Sequence, residues 1–346
     1  MLKYSIKRIL LAFVTAFIIL TLTFFLVKSL GPQRSYSPTP SINFAYYLKQ
    51  VDLGYMDEYL EEQPLLGDFV FRFAENTGNK VHYFYDKPIV EQYFNWLGNI
   101  FHWDWGKSTV VEPNADAINI IFDRLPVSFS VNIIAVVISV PLGILFGIIA
   151  GLKKNTWIDH TISTLVMIFI SIPSFVIIIF LTFWLGYNGN LPTVWPIKDA
   201  DLSRRVLAYI IPVMSLSFGS VCGYTRFVRA ELCEVMSSEY LLLARTKGLT
   251  KNQAITRHAL RNAFVPILPS ILAEFIGVFS GSMILEQLYD IPGIGSLYIE
   301  ALNGKDYNVL LVDMAIFTIV GLIAGIVLDL SYGFIDPRIR MGEKNA

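Results

Sequence analysis

The residues that could do chemistry are few and stand apart from one another. Gly106-Lys107-Ser108 matches the end of a phosphate-binding loop, but such a loop needs a glycine five residues before Gly106, and position 101 is phenylalanine. The four histidines have no paired metal-binding spacing, and no Gly-x-Ser-x-Gly or His-Glu-x-x-His pattern occurs; they are His82, His102, His160 and His258. We therefore expect no catalytic residue and no metal site in this chain.

The composition is that of an integral membrane protein. Hydrophobic residues make up 54% and charged residues 16% of the 346 residues, and the mean hydropathy is +0.54, outside the usual soluble range. The net charge of −1 gives no reason to expect nucleic acid as a partner. Cys222 and Cys233 are too few for a disulfide framework or a thiolate metal site, so we assign both to packing.

Apolar segments of membrane-spanning length predict an all-α polytopic fold. A bilayer core of roughly 30 Å needs about 20 apolar residues per helix. Six segments meet this need, at approximately 9–30, 127–151, 161–186, 206–225, 264–287 and 308–333. The first follows Lys3, Lys7 and Arg8 as a signal peptide would, but it is longer than the usual apolar region and lacks a good cleavage site, so we interpret it as an uncleaved helix.

The distribution of lysine and arginine predicts the orientation. The N-terminus, the second and fourth connections and the C-terminal tail are rich in basic residues, which places these parts and both termini in the cytoplasm. The first connection, residues 31–124, has seven basic against thirteen acidic residues and is predicted to lie outside. We accordingly divide the chain into residues 1–30, with the first helix; residues 31–124, an extracellular insertion; and residues 125–346, the core with helices 2–6.

The external insertion has the composition of a small ordered cap. Its sixteen aromatic residues between Tyr46 and Trp105 are enough to bury a core, which disordered segments lack. The alternation in 68–73 and 80–85, on either side of a turn signal at 76–79, predicts two short paired strands.

A charged stretch at residues 226–266, between two apolar segments, has the pattern of two short helices. Ser238 is predicted to cap a helix from about Glu239 to Lys247, with Leu241, Leu242 and Ala244 on its apolar side, and Gly248 is predicted to reverse the chain in a left-handed conformation. Thr250 and Gln253 have capping-box spacing, which predicts a second helix to about Asn262. The product is a helix–turn–helix at about 238–262 that lies outside the bilayer.

Several motifs resemble the permease subunits of bacterial ABC importers, and more narrowly the first-type permease of the peptide (oligopeptide, dipeptide or nickel) branch. The main ones are Arg226-Phe-Val-Arg229, Glu239 to Leu249 and Arg257 to Ala263. Supporting matches are Tyr93 to Gly98, Asp104 to Ser108, Arg124-Leu125-Pro126, Ile172 to Phe175, Glu286 with Pro292 to Gly295, and Asp336 to Arg340. Two departures are Leu242-Leu243 where the general permease motif has Glu-Ala, and a first connection longer than usual.

The resemblance implies a fold, a role and partners. The fold is the six-helix type I ABC importer permease, here with an enlarged insertion between helices 1 and 2, in the bacterial cell membrane. The partners are a second homologous permease, two cytoplasmic ATPases, an extracellular substrate-binding protein, a peptide substrate and membrane lipid. This chain would carry no cofactor, because ATP and Mg would bind to the ATPase subunits, and it would not itself be an enzyme.

The resemblance also implies functional residues. The helices of the charged stretch would be coupling helices that dock on the ATPases, with Gly248 as the turn; the implied docking residues are Glu239, Ala244, Arg245, Lys247, Gly248, Leu249, Thr250, Arg257, His258, Arg261 and Asn262. Pro173, Ser174 and Glu286 are our candidates for the translocation pathway on other grounds. Pro173 permits a kink, and an acid such as Glu286 near the end of an apolar span is costly unless paired or wetted, although Glu286 could equally stabilise the turn that follows it.

Three questions stay open: what the prolines in the helices do, which substrate is carried, and whether transport depends on ATP. Gly143, Gly147 and Gly151 favour close helix packing, and Pro141, Pro173 and Pro212 permit kinks that could serve gating or only shape. Oligopeptides are the expected substrate, with dipeptides, nickel chelates and sugar-like oligomers as alternatives. An ATP-independent secondary transporter or channel is the alternative of a different class, but apart from Glu286 we identify no intramembrane charge that would couple ions.

Overall fold

A computed structural model describes residues 2–31, 39–66, 69–74, 80–197 and 199–335. In chain order the main elements are α1 (Leu2–Ser29), α2 (Pro40–Asp52), β1 (Met56–Tyr59), β2 (Phe71–Ala74), β3 (Val81–Asp86), α3 (Ile89–Phe101), α4 (Ala117–Leu152), α5 (Trp157–Ile170), α6 (Ser174–Leu181), α7 (Leu202–Leu207), α8 (Ile210–Met236), α9 (Glu239–Thr246), α10 (Lys251–Ala254), α11 (Leu260–Ala263), α12 (Ile267–Gly277), α13 (Met283–Leu288), α14 (Ile294–Gly304) and α15 (Tyr307–Ile335). Short π-helical segments follow α6 and join α10 to α11. The Asp336–Arg340 motif lies outside the described residues.

The predicted membrane-spanning helices are present, two of them with sharp bends. Within the described ranges four helical segments are long and apolar enough to cross a membrane, and the number is six if each of two bent pairs counts as one span. The pairs are 157–170 with 174–187, bent by 95°, and 251–263 with 267–280, bent by 51°. The first half of the second pair belongs to the charged stretch that the sequence predicts outside the bilayer, so 267–280 is the part that corresponds to the predicted span 264–287. The prediction of an all-α polytopic membrane fold is confirmed.

The larger bend, between α5 and α6, occurs at Pro173, one of the three prolines that permit a kink. Pro173 has no N–H and disfavours a helical conformation at Ile172, so the helix ends at Ile170 and restarts at Ser174. Pro141 does not interrupt α4, and Pro212 lies in the first turn of α8, where an N–H has no helical partner to lose. Of these three prolines, Pro173 is the one that lies at a break between two helices.

The chain divides into two compact units. Residues 1–12, 127–292 and 320–346 form the first, here called the core unit. Residues 13–126 and 293–319 form the second, here called the sheet unit.

The sheet unit contains an antiparallel sheet with strand order β1-β3-β2. The predicted pairing of β2 with β3 is confirmed, with Phe71 opposite Phe84; its turn at 76–79 lies outside the described residues. The pairing of β1 with β3 was not predicted, because Met56–Tyr59 lacks the alternation that marks a strand. Tyr46, Tyr47 and Phe84 are buried against this sheet, so the aromatic residues do form a small core.

A loop of the sheet unit is organised around one buried carboxylate. Asp306 Oδ2 accepts hydrogen bonds from Ser108 Oγ at 2.6 Å and from three successive backbone amides, those of residues 109, 110 and 111, at 2.8, 2.9 and 3.2 Å. Both Ser108 and Asp306 are fully buried. Gly106-Lys107-Ser108 therefore belongs to a structural loop that binds a carboxylate of its own chain.

Replacing Asp306 with alanine is expected to lower the free energy of unfolding of this unit by about 3 kcal/mol or more. The Ser108 hydroxyl and the three backbone amides would stay buried without an acceptor, and their lost hydration would no longer be compensated. The measurement is thermal unfolding of the purified protein in detergent. Asp306→Asn keeps one acceptor oxygen and should lie between wild type and Asp306→Ala. Asp123→Ala, at an exposed carboxylate, is the control. Equal melting temperatures for Asp306→Ala and the control would contradict the structural role.

Three glycines of α4 allow α8 to approach closely in the core unit. A Cβ at Gly143 would lie 2.6 Å from Cβ of Tyr224, and one at Gly147 would lie 2.6 Å from Cβ of Val228. These distances are too short for any side chain, so the glycine stripe serves helix packing as predicted. The packing fixes the end of α8 from which the charged stretch continues.

Candidate functional site

The charged stretch forms the predicted helix–turn–helix. We call residues 238–263 the coupling segment. It consists of α9, a turn at Gly248 and a second helical stretch from Lys251 to Ala263. Gly248 has a φ of +95°, a conformation that disfavours any residue with a Cβ. Thr250 and Gln253 form the predicted capping box, at 3.3 Å from Gln253 N to Thr250 Oγ1 and 3.1 Å from Thr250 N to Gln253 Oε1.

The predicted cap at Ser238 is wrong in its detail. Ser238 does hold the N-cap position of α9 with an extended backbone, but its hydroxyl does not bond the amides of that helix. Ser238 Oγ instead donates to the carbonyl of Val235 at 2.6 Å. Because α8 ends only two residues earlier, its unpaired last carbonyls compete for the hydroxyl. Leu242, expected on the apolar side of α9, is also exposed.

Small apolar residues anchor the coupling segment on the membrane helices. Leu241, Ala254 and Ala259 are buried together with Leu232 of α8, and Ile148 of α4 packs against this cluster. The interface is therefore between the coupling segment and the same ends of α4 and α8 that the glycine stripe holds together. A force applied to the coupling segment would be transmitted directly to those two helices.

The predicted docking residues lie on the outer face of the coupling segment. Leu249 and Ala244 are partly buried, and the other nine are exposed: Glu239, Arg245, Lys247, Gly248, Thr250, Arg257, His258, Arg261 and Asn262. Sequence reasoning missed Tyr240, Leu242 and Leu243, whose side chains are also exposed, at 43%, 63% and 56%. Leu242 and Leu243 stand where the general motif has Glu-Ala, a difference that is visible in the sequence but does not indicate which side chains are exposed.

The predicted pathway residues occupy two different settings. Pro173 and Ser174 lie at the 95° bend and are exposed, and the carbonyl of Ser174 accepts a hydrogen bond from Ser215 Oγ at 2.7 Å. Glu286 is 2% exposed and lies in the short helix α13, beyond the end of α12. The expectation that Glu286 lies within a continuous span 264–287 is wrong, because Gly281, with a φ of +65°, ends the helical path before α13.

The contacts of Glu286 are those of a local anchor. Its Oε1 accepts hydrogen bonds from Ser128 Oγ at 2.7 Å and from the backbone amide of Ser282 at 3.2 Å. The second bond caps α13 at its N-terminus, where a negative charge is favourable. A pathway role for Glu286 stays a prediction, and these contacts supply its structural one.

The expectation that Glu286 is the single intramembrane charge is also wrong. Glu274 lies in α12, and Asp313 and Asp329 lie in α15. Asp329 pairs with Arg8 at 3.1 Å within the core unit. All three acids are visible in the apolar segments of the sequence, so this signal could have been used.

Fold and site together define a class: a polytopic helical membrane protein that holds an exposed helix–turn–helix against the ends of its membrane helices. Residues 143–341 match the family model described as the binding-protein-dependent transport system inner membrane component. The chain belongs to this family.

Individual relatives cover almost the whole chain. This chain is 32% identical over 341 residues to the dipeptide transport system permease protein DppB of Lactococcus lactis. The alignment covers 99% of this chain and 100% of the relative. The chain is 29% identical over 350 residues to the oligopeptide transport system permease protein OppB of Escherichia coli K12, with 98% and 100% covered. A solved amino acid ABC transporter aligns with a TM-score of 0.46 at 19% identity, over 62% of this chain and 94% of that one.

Proposed function

We propose that this chain is the membrane permease subunit of an ATP-driven peptide importer and forms half of its translocation pathway. The observation that carries the proposal is the coupling segment, an exposed helix–turn–helix anchored on α4 and α8. Membership in a family of binding-protein-dependent transport components supports the same role. In this proposal the chain is not an enzyme, and ATP and Mg bind to partner subunits.

The outer face of the coupling segment suits a groove on a soluble ATPase. Three exposed apolar side chains, Tyr240, Leu242 and Leu243, provide area to bury, and Arg245 and Lys247 add charges at the rim. An amphipathic helix that places its apolar face in a groove is a common mode of protein recognition. Closure of two ATPases on ATP would move this segment, and with it the ends of α4 and α8.

The remaining partners follow from the importer role. A second, homologous permease would complete the pathway, and an external binding protein would deliver the substrate from outside the cell. The lysine and arginine distribution supports a multi-pass protein in the bacterial membrane with both termini and the coupling segment in the cytoplasm. Membrane lipid surrounds the exposed apolar faces of the spans.

Peptides are the proposed substrate class, with oligopeptides as the first candidate. The similarity to an oligopeptide permease supports this choice, and the similarity to a dipeptide permease, at slightly higher identity, supports dipeptides as the second candidate. Purification of the complex with its binding protein, followed by mass spectrometry of the bound ligand, tests the length. Ligands of two residues alone would favour the second candidate, and a ligand that is not a peptide would contradict the proposal.

Docking is tested by site-specific cross-linking in a background without Cys222 and Cys233. A cysteine at the exposed position Lys247 should cross-link to the ATPase in the purified complex. Lys154→Cys, the same change at an exposed position predicted to lie on the same side of the membrane, is the control and should cross-link far less. Equal yields at the two positions would contradict docking through the coupling segment.

A further inference from the structure

A groove with six polar side chains in a mainly apolar lining runs between the membrane helices α4, α8 and α12 of the core unit. Two cavities of about 490 and 250 Å³ adjoin there and share Ser220 and Glu274 in their linings. The polar side chains that line them are Asn132, Ser139, Ser220, Tyr224, Ser270 and Glu274. Polar groups on three facing membrane helices are expected where the helices border water or a polar ligand.

Glu274 is the charged member of this groove. Its Oε1 accepts a hydrogen bond from Ser220 Oγ at 2.5 Å, and the side chain of Tyr224 lies beside it. It lies in the last turn of α12, within the apolar segment 267–280 that forms part of a candidate membrane span. A carboxylate within a membrane span is costly unless it is paired or faces water.

Two other described acids of the core unit's membrane helices have an arginine partner. Asp159 is paired with Arg229, and Asp329 with Arg8. Within the described part of the chain, Glu274 has two hydroxyl partners, Ser220 and Tyr224, and no lysine, arginine or histidine lies at ion-pair distance from it. The charge of Glu274 is therefore directed to the groove and whatever occupies it.

The chemistry of the groove selects a cation. An ammonium group donates three hydrogen bonds, and the carboxylate of Glu274 with the hydroxyl oxygens of Ser220 and Tyr224 offers acceptors of the required kind. Tyr224 and Phe227 add aromatic rings to the lining, and such rings attract cations.

We propose that Glu274 binds a cationic group of the transported peptide as the peptide passes through the groove. This inference rests on the proposed peptide import and adds a substrate-contacting residue to it. Ser220 and Tyr224 position the carboxylate and share the cation. The cation is either the α-ammonium group of the peptide or a lysine side chain, which present the same chemistry.

The first test is peptide uptake by the complete complex in proteoliposomes, driven by ATP and saturating, peptide-loaded binding protein. Three peptides are compared: one with a free amino terminus and neutral side chains, its N-acetylated form, and an N-acetylated form with one lysine. Glu274→Gln should lower uptake of at least one cationic peptide about tenfold and change uptake of the neutral peptide by less than about twofold. The free-amine and lysine peptides distinguish the two sources of the cation.

The possible outcomes distinguish a failure of the Glu274 proposal from a failure of the proposed peptide import. If the wild-type complex takes up none of the peptides, the proposed function fails. If the wild type takes them up and Glu274→Gln lowers all three equally or none, the inference alone fails. Glu62→Gln makes the same charge change at an exposed position of the sheet unit and should match the wild type. Binding-protein-stimulated ATP hydrolysis should persist in Glu274→Gln, which reports intact assembly.

A second measurement needs no peptide. In the complex without Cys222 and Cys233, a cysteine replaces Ser270, and its reaction with cationic and anionic water-soluble thiol reagents is timed. The ratio of the cationic to the anionic reaction rate should be at least about tenfold higher at this cysteine than for a free thiol in solution. Glu274→Gln should bring the ratio back to that of the free thiol. A thiol that neither reagent reaches, or a preference independent of Glu274, would overturn the proposal.

Discussion

Gly248→Pro is expected to abolish ATP-driven uptake while leaving the protein inserted in the membrane. Proline fixes φ near −65°, whereas Gly248 has a φ of +95°, and it also removes the amide that bonds the carbonyl of Arg245 at 3.0 Å. A cost of about 3 kcal/mol in the docked conformation corresponds to a loss of about 100-fold in the docking equilibrium. The measurements are peptide uptake and ATPase copurification.

A graded series separates the turn geometry from a general effect of substitution. Gly248→Asn should retain most activity, because asparagine tolerates positive φ better than other residues, and Gly248→Ala should be intermediate. Gly98→Ala is the matched control, since a Cβ there meets open space in an ordinary helical conformation. Wild-type uptake and ATPase binding in Gly248→Pro would contradict the assigned role of the turn.

Arg229→Ala is expected to destabilise the protein by about 3–5 kcal/mol, the range observed when one partner of a buried ion pair is removed. Arg229 donates from Nε and from a terminal nitrogen to both oxygens of Asp159, at 2.5 and 2.8 Å. The side chain of Asp159 is 1% exposed, so its charge would be left buried without a counter-charge. The pair joins α5 to α8 seven residues before α8 ends. Its loss should therefore also weaken the packing of the end of α8 from which the coupling segment continues.

The same change one turn earlier provides the control for this pair. Arg226 lies on α8 with an exposed side chain, and Arg226→Ala should change the melting temperature little. Arg229→Lys should be intermediate, because lysine keeps the charge but not the two-point geometry. In the double variant Asp159→Asn with Arg229→Ala, the loss should be smaller than in Arg229→Ala alone. Equal melting temperatures for Arg226→Ala and Arg229→Ala would contradict the account.

Local features of the fold could be predicted from sequence because they depend on neighbouring residues. The turn at Gly248 and the capping box of Thr250 and Gln253 need only residues within one turn of each other. The bend at Pro173 was expected as a kink, but its 95° angle depends on how α6 packs in the core unit. Ser238 shows the limit of this reasoning, because a hydroxyl with two possible acceptors is decided by the preceding helix.

Long-range contacts could not be predicted from one sequence. Ser108 and Asp306 are 198 residues apart, and Arg229 and Asp159 are 70 apart, so nothing in the local pattern pairs them. The outer face of the coupling segment was largely predictable, whereas the exposure of Leu242 was not, because a helical period assigns it to the wrong side. Glu274 was visible in the sequence, but the groove that explains it requires three helices.

The most direct test of the central claim is uptake of a labelled peptide by proteoliposomes that contain this chain, its partner permease and the ATPases. We expect uptake to require the binding protein outside and ATP and Mg at the ATPases, and to stop when any of these is omitted. Uptake by this chain alone, without ATP or partner subunits, would contradict the account and would identify an ATP-independent transporter or channel.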